Sequence, residues 1–172
     1  MTAVAVTSRL FDAMPEIAAE LLAQYPDAKI VRGPAPETED EIIDFVRGHE
    51  VVVAGIERYT ERVLDALPEL KVISCCSAGV DHLDPALMHE RGIRMGWMAG
   101  VNKYAVSEMA LCFMIDILRE FHVSVAAARN GEWLRVRGQL LRGRTVGVHG
   151  CGNIGKEVVK LLQPFDCEIL AC

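Results

Sequence analysis

The sequence lacks any long hydrophobic run. Its longest apolar stretch extends from Met109 to Ile115 and ends at Asp116, whereas a membrane-spanning helix needs about 20 apolar residues. No signal-peptide pattern follows Met1, because the next residues include neither a basic start nor a cleavage site. We therefore expect a cytoplasmic protein with no membrane partner.

Positive charge is also scarce. The chain of 172 residues has 18 Lys and Arg against 24 Asp and Glu, which gives a formal net charge of −6. This balance argues against nucleic acid or an anionic membrane as the main partner. An apolar share of 51% is typical of an ordinary globular protein with enough apolar material for a core.

The six cysteines form no Cys-x-x-Cys pair, and Cys75 and Cys76 are adjacent. This spacing predicts neither a zinc site nor a disulfide framework, so no metal site is expected. Most of the cysteines lie in apolar segments, where a free cysteine behaves as a small buried hydrophobe. We expect reduced, buried thiols.

Residues 1–101 alternate between short β-like runs and amphipathic helical runs. Strands are predicted at 4–6, 29–31, 51–53, 72–74 and 93–95, and helices at 15–24, from 38, at 60–67 and at 84–92. Thr38 and Glu41 have the spacing of a capping box. Strict alternation predicts an α/β fold with a parallel sheet that is covered on both faces.

A change comes at Asn102. Residues 104–129 contain no proline or glycine, and residues 109–115 are apolar on every side. This pattern predicts one long helix, buried between two bodies of protein and ended by Gly131. Glu108 in this helix is expected to be a buried, hydrogen-bonded carboxylate, and Trp133 is expected to anchor the following loop. The predicted domains are therefore 1–101 and 102–172.

A glycine-rich turn follows the apolar segment that contains Val146 and Val148. It comprises Gly150, Cys151, Gly152, Asn153, Ile154 and Gly155, and it opens a segment with helical apolar spacing. In the dinucleotide-binding fingerprint the first glycine permits the tight turn, the second admits the pyrophosphate and the third lets the helix pack closely on the strand. The alternative is a strand, turn and helix without a ligand.

Three blocks together resemble the family of D-isomer-specific 2-hydroxyacid dehydrogenases. They are residues 72–84, residues 102–108 and the glycine turn with Asn153-Ile154-Gly155. The resemblance implies a flavodoxin-like substrate domain at 1–101. It also implies the start of a Rossmann domain at 102–172, homodimerisation through that domain, and NAD as the cofactor, with NADP not excluded.

The resemblance also implies roles for particular residues. The loop of Ser77, Ala78 and Gly79 would donate backbone N–H groups to the substrate carboxylate, as a glycine-bearing turn after a parallel strand can do. Val106 would touch the nicotinamide, and the backbone at Asn153 and Ile154 would meet the pyrophosphate. The alternatives are a turn glycine that serves a positive φ and a valine buried in its helix.

Some positions depart from the family pattern. Members that act on phosphoglycerate tend to carry an arginine where this chain has Ala54-Gly55, and the nearest cations are Arg58 and His49. An unphosphorylated 2-oxo acid is therefore expected as the substrate.

The family's catalytic arginine, histidine and carboxylate would lie beyond residue 172, so no catalytic residue is assigned, and His82 is not offered as a substitute. The acidic residue that reads the ribose would also follow Cys172, so NAD and NADP are not distinguished.

Three functions remain open from the sequence. The first is an NAD(P)-dependent oxidoreductase that transfers hydride between nicotinamide and a small 2-hydroxy or 2-oxo acid; the 172-residue chain alone is expected to be inactive. The second is a non-catalytic NAD-sensing or scaffolding protein of the same fold, and the third is a flavodoxin-like signalling module. We expect that the 172 residues are part of a chain of roughly twice the length, or that another polypeptide completes their fold.

Overall fold

The structure is a computed structural model that describes residues 2–172. It divides into two units, Met1–Ala99 and Gly100–Cys172, each with its own sheet and core. Across residues 2–172, the length and hydropathy that a bilayer-crossing helix requires are not met by any helix. The assignment of these units as substrate and nucleotide-binding domains stays a prediction.

The first unit is built on a five-stranded sheet in which every neighbouring pair is parallel, with strand order β2-β1-β3-β4-β5. The strands are β1 (Val4–Val6), β2 (Lys29–Ile30), β3 (Val51–Ala54), β4 (Val72–Cys75) and β5 (Arg94–Gly96). The helices are α1 (Leu10–Ala13), α2 (Pro15–Gln24), α3 (Glu39–Val46), α4 (Glu61–Asp65) and α5 (Pro85–Glu90). The predicted α/β fold with a parallel sheet is confirmed. The short helix α1 was not predicted.

Both faces of this sheet are covered. Successive side chains of a strand point to opposite faces, so Val52 packs with one cluster while Val51 and Val53 pack with another. The first cluster includes residues of α3, α4 and α5, and the second includes residues of α1 and α2. Burial on both faces explains why β3 is apolar at every position.

Local signals set two of the helix starts. Thr38 and Glu41 form the predicted capping box at the beginning of α3. At α5 the side chain of Asp84 accepts from the amides of Ala86 and Leu87, and Pro85 occupies the first helical position. Each cap satisfies N–H groups that a helix start otherwise leaves without partners.

The second unit contains helices α6 (Lys103–Arg119), α7 (Phe121–Arg129) and α8 (Asn153–Leu162), with a 3₁₀ turn at Gln163–Phe165. Its strands β6 (Thr145–Val148) and β7 (Glu168–Ala171) form a parallel pair. Leu141, Val158 and Leu162 form the buried centre, against which α6 packs Ala110, Leu111, Met114 and Leu118.

The prediction of one long buried helix at 104–129 is wrong. Glu120 adopts a left-handed conformation, with φ 49°, and separates α6 from α7. Only Ser107 is buried in α6, while Phe113 is 58% exposed and Ile117 is 69% exposed. One stripe of the helix packs on α8, and the remaining apolar residues face solvent.

Three related expectations about burial are also wrong. Glu108 is exposed rather than buried, and Trp133 is 95% exposed and does not anchor its loop. All six cysteines are free, but only Cys75 and Cys167 are partly buried, whereas the other four are exposed. Apolar neighbours in the sequence did not determine burial here, because burial depends on which stripe of a segment meets a core.

Replacement of Ile73 by alanine tests the core of the first unit. Ile73 lies in β4 with no exposed surface, so Ile73→Ala removes buried apolar atoms, leaves a cavity and lowers the free energy of unfolding by about 2–5 kcal/mol. The matched control is Ile56→Ala, because Ile56 is 79% exposed and its loss changes stability by about 0.5 kcal/mol or less. Urea unfolding followed by circular dichroism measures both, and equal midpoints for the two variants would contradict this core.

Candidate active site

A cleft of about 800 Å³ lies at the carboxyl end of the first sheet. Residues that follow β1, β3 and β4 line it, including Thr7, Ser8, Gly55, Cys76 and Ser77. The connections from β1 and β3 leave in opposite directions along the sheet, because β2 lies beyond β1 and β4 lies beyond β3. In open parallel sheets such a point is where ligands bind.

The loop of Ser77, Ala78 and Gly79 begins directly after β4. The hydroxyl of Ser77 donates to the carbonyl of Gly79 at 2.7 Å, and the indole N–H of Trp97 donates to the carbonyl of Ala78 at 2.9 Å. Among residues 2–172, no protein acceptor takes the backbone N–H of Ser77, Ala78 or Gly79. These amides are therefore available to an anion, and their role in holding a carboxylate stays a prediction.

The alternative explanation for Gly79 does not apply. Seven glycines have a positive φ, but Gly79 is not one of them. A Cβ added at Gly79 would lie 3.3 Å from Oδ2 of Asp81, which is a tight but limited contact. The glycine therefore does not serve a left-handed turn.

Glu57 is a cleft residue that the sequence analysis missed. Its Oε1 accepts hydrogen bonds from the hydroxyl of Thr7 and, at 3.1 Å, from the hydroxyl of Tyr59. The amide of Gly55 donates to Oε1 at 3.3 Å and to Oε2 at 3.1 Å. Thr7 and Tyr59 are buried, so the half-buried carboxylate is fixed over the end of β3.

Burial and the charge of Glu57 change the acidity of neighbouring groups. Burial raises the pKa of Tyr59 well above its usual range, and the nearby carboxylate adds to this effect. Surrounding protein atoms partly exclude water from the thiols of Cys75 and Cys76 and so raise their pKa values, with a smaller contribution from the charge of Glu57. Both thiols therefore stay protonated at neutral pH.

Arg58 and His49, the basic residues nearest to Ala54-Gly55 in the sequence, lie at opposite ends of the sheet. Arg58 is exposed and lines the cleft. His49 precedes β3, and its Nδ1 lies 3.1 Å and 3.0 Å from the carbonyls of Val46 and Arg47. His82 lines a separate depression beside Tyr59, and its Nε2 is buried without a hydrogen-bond partner among residues 2–172.

The glycine turn of the second unit lies between β6 and α8. Gly150 has φ 91°, and its amide donates to the carbonyl of Cys172 at 2.9 Å. The first turn-to-helix bond runs from the amide of Lys156 to the carbonyl of Gly152. Within residues 2–172, the backbone N–H groups of residues 151–154 have no protein acceptor.

The three glycines of the turn differ in what a side chain would meet. A Cβ added at Gly155 would lie 2.2 Å from the carbonyl oxygen of Gly150, so this position requires glycine. A Cβ at Gly150 or Gly152 would meet nothing within 4 Å, although the positive φ of Gly150 disfavours other residues. The amides and the open space at Gly152 fit a pyrophosphate group.

Three further predicted cofactor contacts lie within the second unit. Asn153 begins α8, and its side chain lies against Gly100, where an added Cβ would come within 2.7 Å of it. Val106 lies in α6 and is 38% exposed, so the alternative of a buried helix residue is wrong. Ile154 is 37% exposed.

An ion pair joins α6 to α8 beside the turn. Lys103 lies 3.6 Å from Oε1 of Glu157, and Lys160 donates to the same oxygen at 2.9 Å. The hydrogen bond from Lys160 and the charges of both lysines lower the pKa of Glu157. This carboxylate therefore stays ionised and holds the start of α8 near Lys103.

Comparisons with known proteins identify the family. The chain matches the model of the D-isomer specific 2-hydroxyacid dehydrogenase catalytic domain over residues 4–165. It is 32% identical over 157 residues to a mouse glyoxylate reductase/hydroxypyruvate reductase, covering 86% of this chain and 48% of the relative. It is 30% identical over 162 residues to the D-3-phosphoglycerate dehydrogenase of Methanocaldococcus jannaschii, covering 92% of this chain and 30% of the relative.

A solved structure extends the agreement to the fold. The crystal structure of a D-isomer specific 2-hydroxyacid dehydrogenase-like, NAD-binding protein from Polaromonas superposes with a TM-score of 0.86 at 26% identity. The match covers 99% of this chain and 55% of that one, so the chain spans about half the length of this neighbour and less than half that of the two relatives. The chain therefore belongs to the family of D-isomer specific 2-hydroxyacid dehydrogenases.

Proposed function

We propose that this chain contributes to an NAD(P)-dependent oxidoreductase that transfers hydride between nicotinamide and a small 2-hydroxy or 2-oxo acid. Residues 1–101 would form its substrate domain, and residues 102–172 would form the beginning of its Rossmann domain. The observation that carries the proposal is the set of amides at residues 151–154, at the start of α8, which have no acceptor within residues 2–172.

The glycine turn would bind the cofactor's pyrophosphate. Unpaired N–H groups and the helix dipole favour an anion at the start of α8, and Gly152 leaves room for its close approach. Gly150 and Gly155 would shape the turn, Asn153 and Ile154 would contribute backbone contacts, and Val106 would touch the nicotinamide. The bound cofactor supplies the hydride chemistry. NAD is the proposed cofactor, without exclusion of NADP.

The loop of Ser77, Ala78 and Gly79 would bind the substrate carboxylate. Its amides have no protein acceptor among residues 2–172, and Ser77 lines the cleft. The mouse relative is named for glyoxylate and hydroxypyruvate, and the archaeal one for 3-phosphoglycerate. We favour an unphosphorylated acid, because Gly55 and Glu57 occupy the end of β3.

Proton transfer would require residues beyond Cys172. We propose that the catalytic arginine, histidine and carboxylate of the family follow that position, and that the 172-residue chain alone is inactive. The alternative of a non-catalytic NAD-sensing or scaffolding protein has no specific observation in its favour.

The proposal also covers self-association of the chain and its location in the cell. Phe113, Ile117 and Phe121 of α6 and α7 are all more than half exposed, at 58%, 69% and 65%, and an exposed apolar surface of this kind favours association. We propose a cytoplasmic homodimer that contacts its partner through the second unit.

Gly152→Ala tests cofactor binding directly. Gly152 has an extended backbone, with φ −78° and ψ −150°, so alanine fits the fold, but its methyl group would obstruct a pyrophosphate. We expect an about tenfold or greater rise in the Kd for NADH, measured by fluorescence titration. Gly147→Ala is the control, because its Cβ also meets nothing within 4 Å but lies in β6. NADH binding that Gly152→Ala leaves unchanged would contradict the proposal.

Gly155→Ala tests the close packing of the turn. Its Cβ would lie 2.2 Å from the carbonyl oxygen of Gly150, so α8 must shift, and we expect a loss of about 1–3 kcal/mol in unfolding free energy. Urea unfolding measures this loss, and Gly147→Ala serves again as the control. A midpoint equal to that of the control would show that the turn does not require glycine there.

An assay of NADH oxidation tests whether the 172-residue chain is active alone or requires residues that follow it. The purified 172-residue chain, mixed with NADH and hydroxypyruvate or glyoxylate, should show no loss of NADH absorbance. The same chain continued by the residues that follow Cys172 should oxidise NADH. Turnover by the 172-residue chain would overturn the placement of the catalytic set, and an inactive longer chain that still binds NADH would favour the sensing alternative.

A further inference from the structure

The cleft of the first unit has an uneven distribution of charge. Three carboxylates line it, Glu37, Glu39 and Glu57, against the two guanidinium groups of Arg9 and Arg58. Glu37, Arg9 and Arg58 are exposed, where water and salt screen their charges. Glu39 accepts from the hydroxyl of Thr60 and pairs with Arg62.

Glu57 is half-buried and held in place, which distinguishes it from the three exposed groups, and its lack of a cation partner distinguishes it from Glu39. Its partners Thr7 and Tyr59 are 0% and 2% exposed, so neither can move away without loss of core packing. No cation pairs with Glu57 among residues 2–172. Its charge therefore acts on whatever occupies the cleft.

The two oxygens of this carboxylate are used unequally. Oε1 accepts from Thr7, Tyr59 and the Gly55 amide, whereas Oε2 accepts only from the Gly55 amide at 3.1 Å within the described residues. A carboxylate oxygen can accept two hydrogen bonds. Oε2 thus retains the capacity to accept from a ligand.

We propose, on the basis of the proposed function, that Glu57 determines which substituents beyond C2 the cleft accepts in its acid substrate. It accepts a hydrogen bond from an uncharged, hydroxyl-bearing substituent and repels a phosphate or a second carboxylate. The substrate class is therefore a short 2-hydroxy or 2-oxo acid with a neutral polar substituent.

The electrostatic reach of Glu57 supports this assignment. Its charge contributes to the raised pKa values of Cys75 and Cys76, the residues directly before the loop at 77–79. A carboxylate held by that loop would thus place its substituent near Glu57, on the side of the cleft that Cys76 and Gly55 line. Two like charges within one cleft repel more strongly where water is partly excluded than in bulk water.

Titration of the 172-residue chain with two ligands tests the proposal. D-glycerate and 3-phospho-D-glycerate differ only by the phosphate on the terminal hydroxyl. We expect D-glycerate to shift the amide NMR signals of residues 77–79 and to bind at least about tenfold more tightly than the phosphorylated ligand at low salt. We call the ratio of the two Kd values the affinity gap. In Glu57→Gln, which keeps the size of the side chain, this gap should narrow severalfold. The control is Glu69→Gln, which removes an exposed carboxylate outside the cleft and should leave the gap unchanged.

The outcomes separate this inference from the proposed function. Equal affinities in the unsubstituted chain, or an unchanged gap in Glu57→Gln, would overturn the inference and leave the carboxylate site intact. If neither ligand shifts the amides of residues 77–79, the proposed carboxylate site fails and the inference with it. If Glu57→Gln does not fold, high salt applied to the unsubstituted chain decides, because electrostatic repulsion weakens with ionic strength. A gap that salt does not change would then overturn the inference.

Discussion

Parallel hydrogen bonding between β1, β3 and β4 places their carboxyl ends on one edge of the first sheet. The register pairs Val6 with Val53 and Ala54 with Cys75, so the loops after these strands begin at nearly the same level. Thr7, Gly55 and Cys76 become neighbours for this reason, although they are far apart in the chain. The cleft, the amide loop and the fixed carboxylate all follow from that alignment.

Both candidate anion sites consist of backbone amides. One lies in the loop after β4 and the other at the start of α8. A chain with a net charge of −6 can therefore bind small anions locally while it repels large polyanions. Composition describes the long-range field, whereas the orientation of a few N–H groups decides binding at short range.

Features with a local cause could be predicted from the sequence. The capping box at Thr38, the alternation of strands and helices, and the glycine turn each depend on residues a few positions apart. Burial in the second unit could not be predicted, because the apolar content of α6 does not reveal which stripe meets α8. Glu57 was missed for a related reason: its hydrogen bond to Thr7 joins residues separated by 50 positions, and no pattern in either segment indicates the other.

Two hydrogen bonds join Cys172, which follows β7, to the glycine turn and to the end of β6. The amide of Gly150 donates to the carbonyl of Cys172, and the amide of Cys172 donates to the carbonyl of Val148 at 3.2 Å. Order in the turn and order along β7 are thus thermodynamically linked. An anion seated on the turn would also slow hydrogen exchange at the Cys172 amide, so that strand end would report on occupancy without touching the ligand.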